Sequence, residues 1–126
     1  MNRRERVTAV FKGEKPDRTP IGFWMHFPVE QHYGEGAFAA HLKFFEETKT
    51  DICKVMNENL YPVQYPIMKA ADWADVKVCG KNHSFIQSQV ELVKRIVDRV
   101  AGDAPVIATV PVSYTHLRAH ETDQYL

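Results

Sequence analysis

Three short apolar runs, separated by stretches of helical periodicity, constrain this chain more than any other feature. The runs are Ile21-Gly-Phe-Trp24, residues 51–56 (DICKVM) and residues 105–110 (PVIATV). Each has the length of a strand, and each is bounded by turn-forming residues. Strand, helix, strand, helix, strand is the pattern of parallel βαβ units, so an α/β fold is expected. Lys54 argues against full burial of the second run.

The intervening segments carry their own signals. Residues 2–12 predict a helix: Asn2 can cap it, Glu5 stands three residues on as in a capping box, and Gly13 stops it. Val7, Val10 and Phe11 share one face at helical spacing. The linker 14–20 holds two prolines and excludes a regular helix. After a loop over 27–36, a second helix is expected over 37–48, with Phe38, Leu42 and Phe45 inward. Residues 57–82 read as irregular, with a short helical turn near 70–74. A last helix is expected from Ser88, paired with Glu91 in an S-x-x-E box. Val90, Val93, Val97 and Val100 form its stripe, Ile96 widens it, and Gly102 ends it.

The final residues, 112–126 (VSYTHLRAHETDQYL), read as translated DNA-sequencing adapter rather than as evolved protein. Ordinary codons for 112–122 reproduce the transposase end used in shotgun libraries, and Asp123, Gln124, Tyr125 and Leu126 fit an index followed by ATCTC. The expectation is a native chain to about residue 110 and a tail, 111–126, without structure or role. Setting aside Arg118, Glu121 and Asp123 leaves 15 basic against 14 acidic residues. A balance so even gives no electrostatic footprint for nucleic acid or an anionic membrane. No signal peptide or transmembrane stretch opens the chain, so Cys53 and Cys79 are expected as reduced thiols in the cytoplasm.

The opening MNRRERVTAVFKGEKPDRTPIGFW, and above all its Gly13-Glu-Lys-Pro-Asp-Arg-Thr-Pro20 linker, resembles the start of uroporphyrinogen decarboxylase family proteins. The likeness runs weakly on through TDICKVMNEN to PVIATV, covering residues 1–110. It implies a (β/α)8 barrel, a TIM barrel, of which this chain would supply the first three strands, since a whole barrel takes about 250 residues. Two activities occur in that family. One is the cofactor-free lyase of porphyrin biosynthesis, which decarboxylates a tetrapyrrole. The other is methyl transfer between small substrates, corrinoid proteins and thiols, with zinc held by ligands in the C-terminal half of the barrel. Zinc and corrinoid protein would therefore belong to the parent methyltransferase, and no metal site is expected in residues 1–110.

In such barrels the active site lies at the C-terminal ends of the strands. That places Trp24, Met25 and His26 at the mouth after the first run. The decarboxylases carry an arginine-bearing Q-A-G-R motif there to grip substrate carboxylates. This chain has His26-Phe-Pro-Val-Glu-Gln-His-Tyr33, and no arginine between Arg18 and Arg95. The departure counts against a carboxylate-rich tetrapyrrole and favours a methyltransferase-like or other divergent activity on a small molecule.

The second run ends in Asn57-Glu58-Asn59, where Glu58 falls at the place of the decarboxylases' pyrrole-contacting aspartate. Glu58 and His26 are thus the expected catalytic residues, Glu58 as hydrogen-bond acceptor or, with a raised pKa, as general base. Trp24, Asn57 and Asn59 are expected to contact substrate. A packing role is expected for His41 and Cys53. His32 near His26 makes no metal site, and Cys79 and His83 are read as a coincidental pair. Taken literally, the 126 residues also allow a third outcome, an inactive fragment of such an enzyme.

Overall fold

The computed structural model describes residues 1–58, 66–77, 79–100 and 102–109. Five regular elements appear among them: helix α1 (Arg3–Phe11), helix α2 (Gly34–Thr48), strand β1 (Cys53–Val55), helix α3 (Ser84–Val100) and strand β2 (Val106–Ala108). Short 3-10 turns lie at Val29–Gln31 and Ala70–Asp75, the latter where a helical turn was expected. Strands β1 and β2 pair in parallel, with Cys53 opposite Val106 and Val55 opposite Ala108. Mixed α/β structure with a parallel strand pair bridged by a helix is therefore what the chain forms.

Helix α1 starts as its sequence dictates. The Asn2 side chain accepts from the Glu5 N–H at 2.8 Å, and the Glu5 carboxylate accepts from the Asn2 N–H at 2.9 Å. Gly13 ends the helix at φ 73°, with open space around its α-carbon, so backbone conformation rather than crowding calls for glycine there. The inward face differs from expectation. Arg6, Val7 and Ala9 are buried, whereas Val10 is half exposed and Phe11 is 87% exposed. Apolar periodicity misassigned this helix because its inward anchor is a charged residue, Arg6.

Arg6 belongs to a buried ionic lock. Its Nε and one terminal nitrogen grip both Asp17 oxygens, at 2.6 and 2.8 Å, and the other terminal nitrogen reaches Asp51 at 2.5 Å. Arg18 donates twice to the same Asp51 carboxylate, at 2.6 and 3.0 Å, and the Ile21 N–H adds a fourth bond at 3.0 Å. Asp51 is completely buried. Arg3 pairs with Asp103, stacks over Phe45 at 4.6 Å, and leaves α1 tied to the turn before β2. The basic start of the chain is thus committed to holding α1 across the ends from which both strands begin. It is not a free cationic patch.

The expected first strand, 21–24, is not one. Its backbone runs beside the segment before β1, joined by the Asp51 N–H donating to the Ile21 carbonyl at 2.8 Å, but it enters no ladder. Phe23 and Trp24 are more than half exposed. One backbone hydrogen bond to that segment does not make a ladder.

The two long helices pack together on one face of the strand pair. Ala37 and Phe45 of α2, Leu92, Ile96 and Val100 of α3, and Cys53 and Val55 of β1 form the core, with Phe38, Leu42, Val93 and Val106 at its margin. Arg95 lies over the Phe38 ring at 4.0 Å and pairs with Glu35, joining the helices at their edge. The α3 stripe is turned from the expected one: Ile96, Val100 and Val93 face the core as expected, but Leu92 joins them while Val90 and Val97 are more than a third exposed. Positions 92, 96 and 100 follow the i, i+4 ridge that helix packing uses.

Both helices begin earlier than expected, α2 at Gly34 and α3 at Ser84. In α2 the glycines look like loop, yet a side chain at Gly36 would meet the Glu30 carbonyl oxygen at 2.8 Å. That glycine lets the 3-10 turn lie against the first turn of the helix. In α3 the expected Ser88–Glu91 cap is overturned by His83, whose Nδ1 accepts from the Phe85 N–H at 3.1 Å. The Ser88 hydroxyl instead donates back to the Phe85 carbonyl.

Candidate functional site

Opposite the ionic lock, where β1 ends, lie His26, His32 and His41. Residue Met56 leaves the strand fully buried and packs with Phe27, Ala40 and Phe44. Beneath it His41 is 2% exposed and uses both ring nitrogens: Nδ1 donates to the Ala37 carbonyl at 2.7 Å, and Nε2 accepts from the Met56 N–H at 2.9 Å. Burial depresses the His41 pKa, only partly opposed by the Ala37 hydrogen bond and by the Glu58 charge. His41 is therefore a neutral core residue that fixes where β1 ends, in keeping with the packing role expected of it.

Two residues beyond Met56, Glu58 meets His26. The Glu58 Oε2 lies 2.9 Å from His26 Nδ1, and Oε1 accepts from the Phe27 N–H at 3.2 Å. The carboxylate side chain is only 7% exposed, while the His26 ring is 67% exposed. Trp24 stands edge-on to that ring, with centroids 4.5 Å apart. Sequence separations of 32 and 31 residues thus close into one cluster of Trp24, His26, Phe27 and Glu58.

The electrostatics assign unlike roles to the two catalytic candidates. Burial alone would push the Glu58 pKa up. Hydrogen bonds from His26 and the Phe27 N–H, with the nearby His26 and His32 charges, outweigh it and hold the carboxyl below its ordinary value. Of the two roles expected of Glu58, hydrogen-bond acceptor or general base with a raised pKa, the lowered pKa fits the acceptor. An ionised carboxylate can only accept, so a neutral His26 carries its proton on Nδ1 and keeps a lone pair on Nε2. Nε2, on the exposed ring, is the atom able to take a proton or bind a ligand. Glu58 orients it.

Of the other expected contacts, Asn57 is half buried between Met56 and Glu58, and Asn59 lies outside the described residues. Among the described residues no three His, Cys, Asp or Glu side chains converge as metal ligands. Cys53 and Cys79 are free thiols, and Cys53 is buried with its pKa pushed up to about 11. Both readings fit the packing role expected of Cys53.

Sequence reasoning missed three participants. His32 reaches back to the Phe27 carbonyl at 2.7 Å. Gln89 of α3 donates to the Met56 carbonyl at 3.2 Å. Thr109, directly after β2, donates its N–H to the Val55 carbonyl but has a buried hydroxyl with no hydrogen-bond partner among the described residues. Position at a strand's C-terminal end was the one available signal for Thr109. No helix among the described residues is long and apolar enough to cross a membrane. Neither a protein-family model, nor a curated protein, nor a solved structure matches the chain.

Proposed function

We propose that residues 1–110 are the opening portion of a cytosolic (β/α)8-barrel enzyme of the uroporphyrinogen decarboxylase family, with His26 as its proton-transferring or ligand-binding residue. The observation that carries the reading is the His26–Glu58 pair, 2.9 Å apart where β1 ends and flanked by Trp24. Barrel enzymes assemble their sites at that end of their strands. Further support comes from α2 and α3 packing on the same face of the strand pair, as barrel helices do, whereas doubly wound sheets carry helices on both. The far side of β2, where Ile107 is 46% exposed, is where the remaining strands and a filled interior would lie.

Within that family, methyl transfer to or from a small substrate fits better than tetrapyrrole decarboxylation. No arginine occurs between Arg18 and Arg95, and both of these are committed elsewhere, to Asp51 and to Glu35. Zinc and a corrinoid protein would then be requirements of the complete enzyme. The 126 residues by themselves, with part of one mouth, are read as inactive.

Assay of the complete gene product separates these readings. Turnover is expected with methylated corrinoid protein and zinc, and none with uroporphyrinogen. His26→Gln should lower kcat by about 10²–10⁴-fold, the usual weight of a general acid–base group. Ordinary turnover of uroporphyrinogen would overturn the methyl-transfer assignment. An unimpaired His26→Gln enzyme would remove His26 from the chemistry.

A further inference from the structure

Between His26 and α2 the chain makes a loop whose closure has its own hardware. The His32 ring lies 2.7 Å from the Phe27 carbonyl through Nε2. A carbonyl oxygen can only accept, so Nε2 bears the proton. Inside that span the Gln31 N–H donates to the Pro28 carbonyl at 2.8 Å, and the His32 N–H donates to the Val29 carbonyl at 3.2 Å. Gly36 then admits the Glu30 carbonyl against the first turn of α2, at a distance a side chain would block. The loop is anchored at both ends.

What the loop holds in place is the working pair. Phe27, whose carbonyl His32 grips, donates its own N–H to Glu58 Oε1, and its neighbour His26 donates to Oε2. The Phe27 ring sits edge-on to the buried His41 at 4.7 Å and to Phe44 at 6.0 Å. Residue 27 is therefore fixed by its ring from α2, by its N–H from Glu58 and by its carbonyl from His32. Only the last of these fixes the loop's return.

We propose that His32 is a positioning residue of this site: by holding the Phe27 carbonyl it keeps the His26 ring and the Phe27 N–H seated on Glu58. The proposal rests on the reading of His26 and Glu58 as the working pair. It gives His32 no contact with substrate, and it makes the hydrogen bond, not the charge, of His32 the operative feature. The other titratable groups coupled to Glu58 are His26 from the loop and His41 from α2.

The 126-residue chain labelled with nitrogen-15 and carbon-13 provides the test. Imidazole nitrogen spectra report the tautomer of each histidine, and the side-chain carboxyl resonance reports the Glu58 titration. In the unsubstituted chain His26 should be the Nδ1–H tautomer, and Glu58 should titrate below the ordinary glutamate value. His32→Ala and His32→Phe both remove the donor, the second at similar ring volume. Each should raise the Nε2–H share of His26 several-fold and move the Glu58 midpoint up. His32→Gln, whose amide can still donate to the Phe27 carbonyl, should preserve the His26 tautomer and, lacking only the His32 charge, move the Glu58 midpoint up by less than alanine does.

The buried Nδ1–H of His41 serves as the internal check that the fold is intact. Unchanged His26 and Glu58 signals in the alanine and phenylalanine variants would overturn the proposal. So would a glutamine variant that behaves like alanine, because the role would then be one of charge. Loss of the His41 signature in both donor-less variants would also overturn it, by making His32 a determinant of the whole fold. None of these readouts depends on turnover, so an active His26→Gln enzyme would sink the functional reading while leaving this one standing.

Discussion

Replacing Asp51 by alanine should remove a large part of the stability of this chain, from the opposite end of β1 to the candidate site. The carboxylate has no solvent exposure and takes four hydrogen bonds, one from Arg6, two from Arg18 and one from the Ile21 N–H. Its removal leaves the buried Arg6 guanidinium and a backbone donor facing a gap, while the half-exposed Arg18 can turn to water. Breaking a buried ion pair by deleting one partner costs about 3–5 kcal/mol. A domain's whole stability is about 5–15 kcal/mol. With a urea dependence of about 1.5 kcal/mol per molar, the midpoint should fall by about 2–3 M.

The control is Asp17→Asn. Asp17 also binds Arg6, but its side chain is 42% exposed and stays hydrated, so the midpoint should move much less. Acid titration gives a second reading of the same lock. Burial pushes the Asp51 carboxyl up, but the bonds from Ile21, Arg18 and Arg6 prevail and hold it below the ordinary range. A depressed carboxyl contributes stability that is present above its unfolded pKa, about 3.9, and that is lost as pH falls through the folded value. Wild type should therefore lose midpoint steeply below about pH 4, a step that Asp51→Asn should flatten. Far-UV circular dichroism against urea measures both effects. An Asp51→Ala chain that unfolds at the wild-type urea concentration would refute the assignment of Asp51 as the hub.

Three further outcomes follow from buried polar groups. His41→Ala leaves the Met56 N–H without its acceptor and should cost about 1–3 kcal/mol in a urea titration, more if the cavity stays open. Because burial lowers the His41 pKa, its own contribution is present above about pH 6.5 and fades as pH falls below it, so wild type should show a shallow loss there that the variant lacks. Cys53, with its thiol pushed up to about 11, should react with iodoacetamide at pH 8 no faster than the chain opens, while half-buried Cys79 should label ahead of it. Thr109→Val should raise the melting temperature by an amount equivalent to about 1 kcal/mol, since the hydroxyl is buried without a partner among the described residues; a comparable fall would reveal one.

Much of the scaffold was legible because it is written in local chemistry. The Asn2–Glu5 box and Gly13 delimit α1 within a residue, and the apolar runs at 51–56 and 105–110 contain β1 and β2. What failed was non-local. Arg6 turns α1 onto a charged face because Asp17 and Asp51 wait 11 and 45 residues away, and no periodicity of apolar side chains encodes that. Likewise α2 extends through two glycines because the Glu30 carbonyl needs the space of Gly36. Residues 21–24 have a strand's composition but only one backbone bond to the segment beside them, and composition does not say whether a ladder will close.

The candidate site divides the same way. The family resemblance, with position at the ends of apolar runs, selected Trp24, His26 and Glu58, and the structure brings these three into one cluster. Their division of labour was not readable, because it depends on which donors a buried carboxylate meets. Burial alone would raise the Glu58 pKa. Two hydrogen bonds reverse the sign, and with it the role: the group that burial makes scarce to solvent becomes the fixed acceptor, and the exposed ring it orients becomes the reactive partner. The linker motif carries the complementary lesson. Asp17 and Arg18, in its most distinctive stretch, serve a lock against Arg6 and Asp51 at the opposite end of β1. A distinctive motif can hold no chemistry, since keeping two guanidiniums and two carboxylates in register is demanding enough to restrict the sequence by itself.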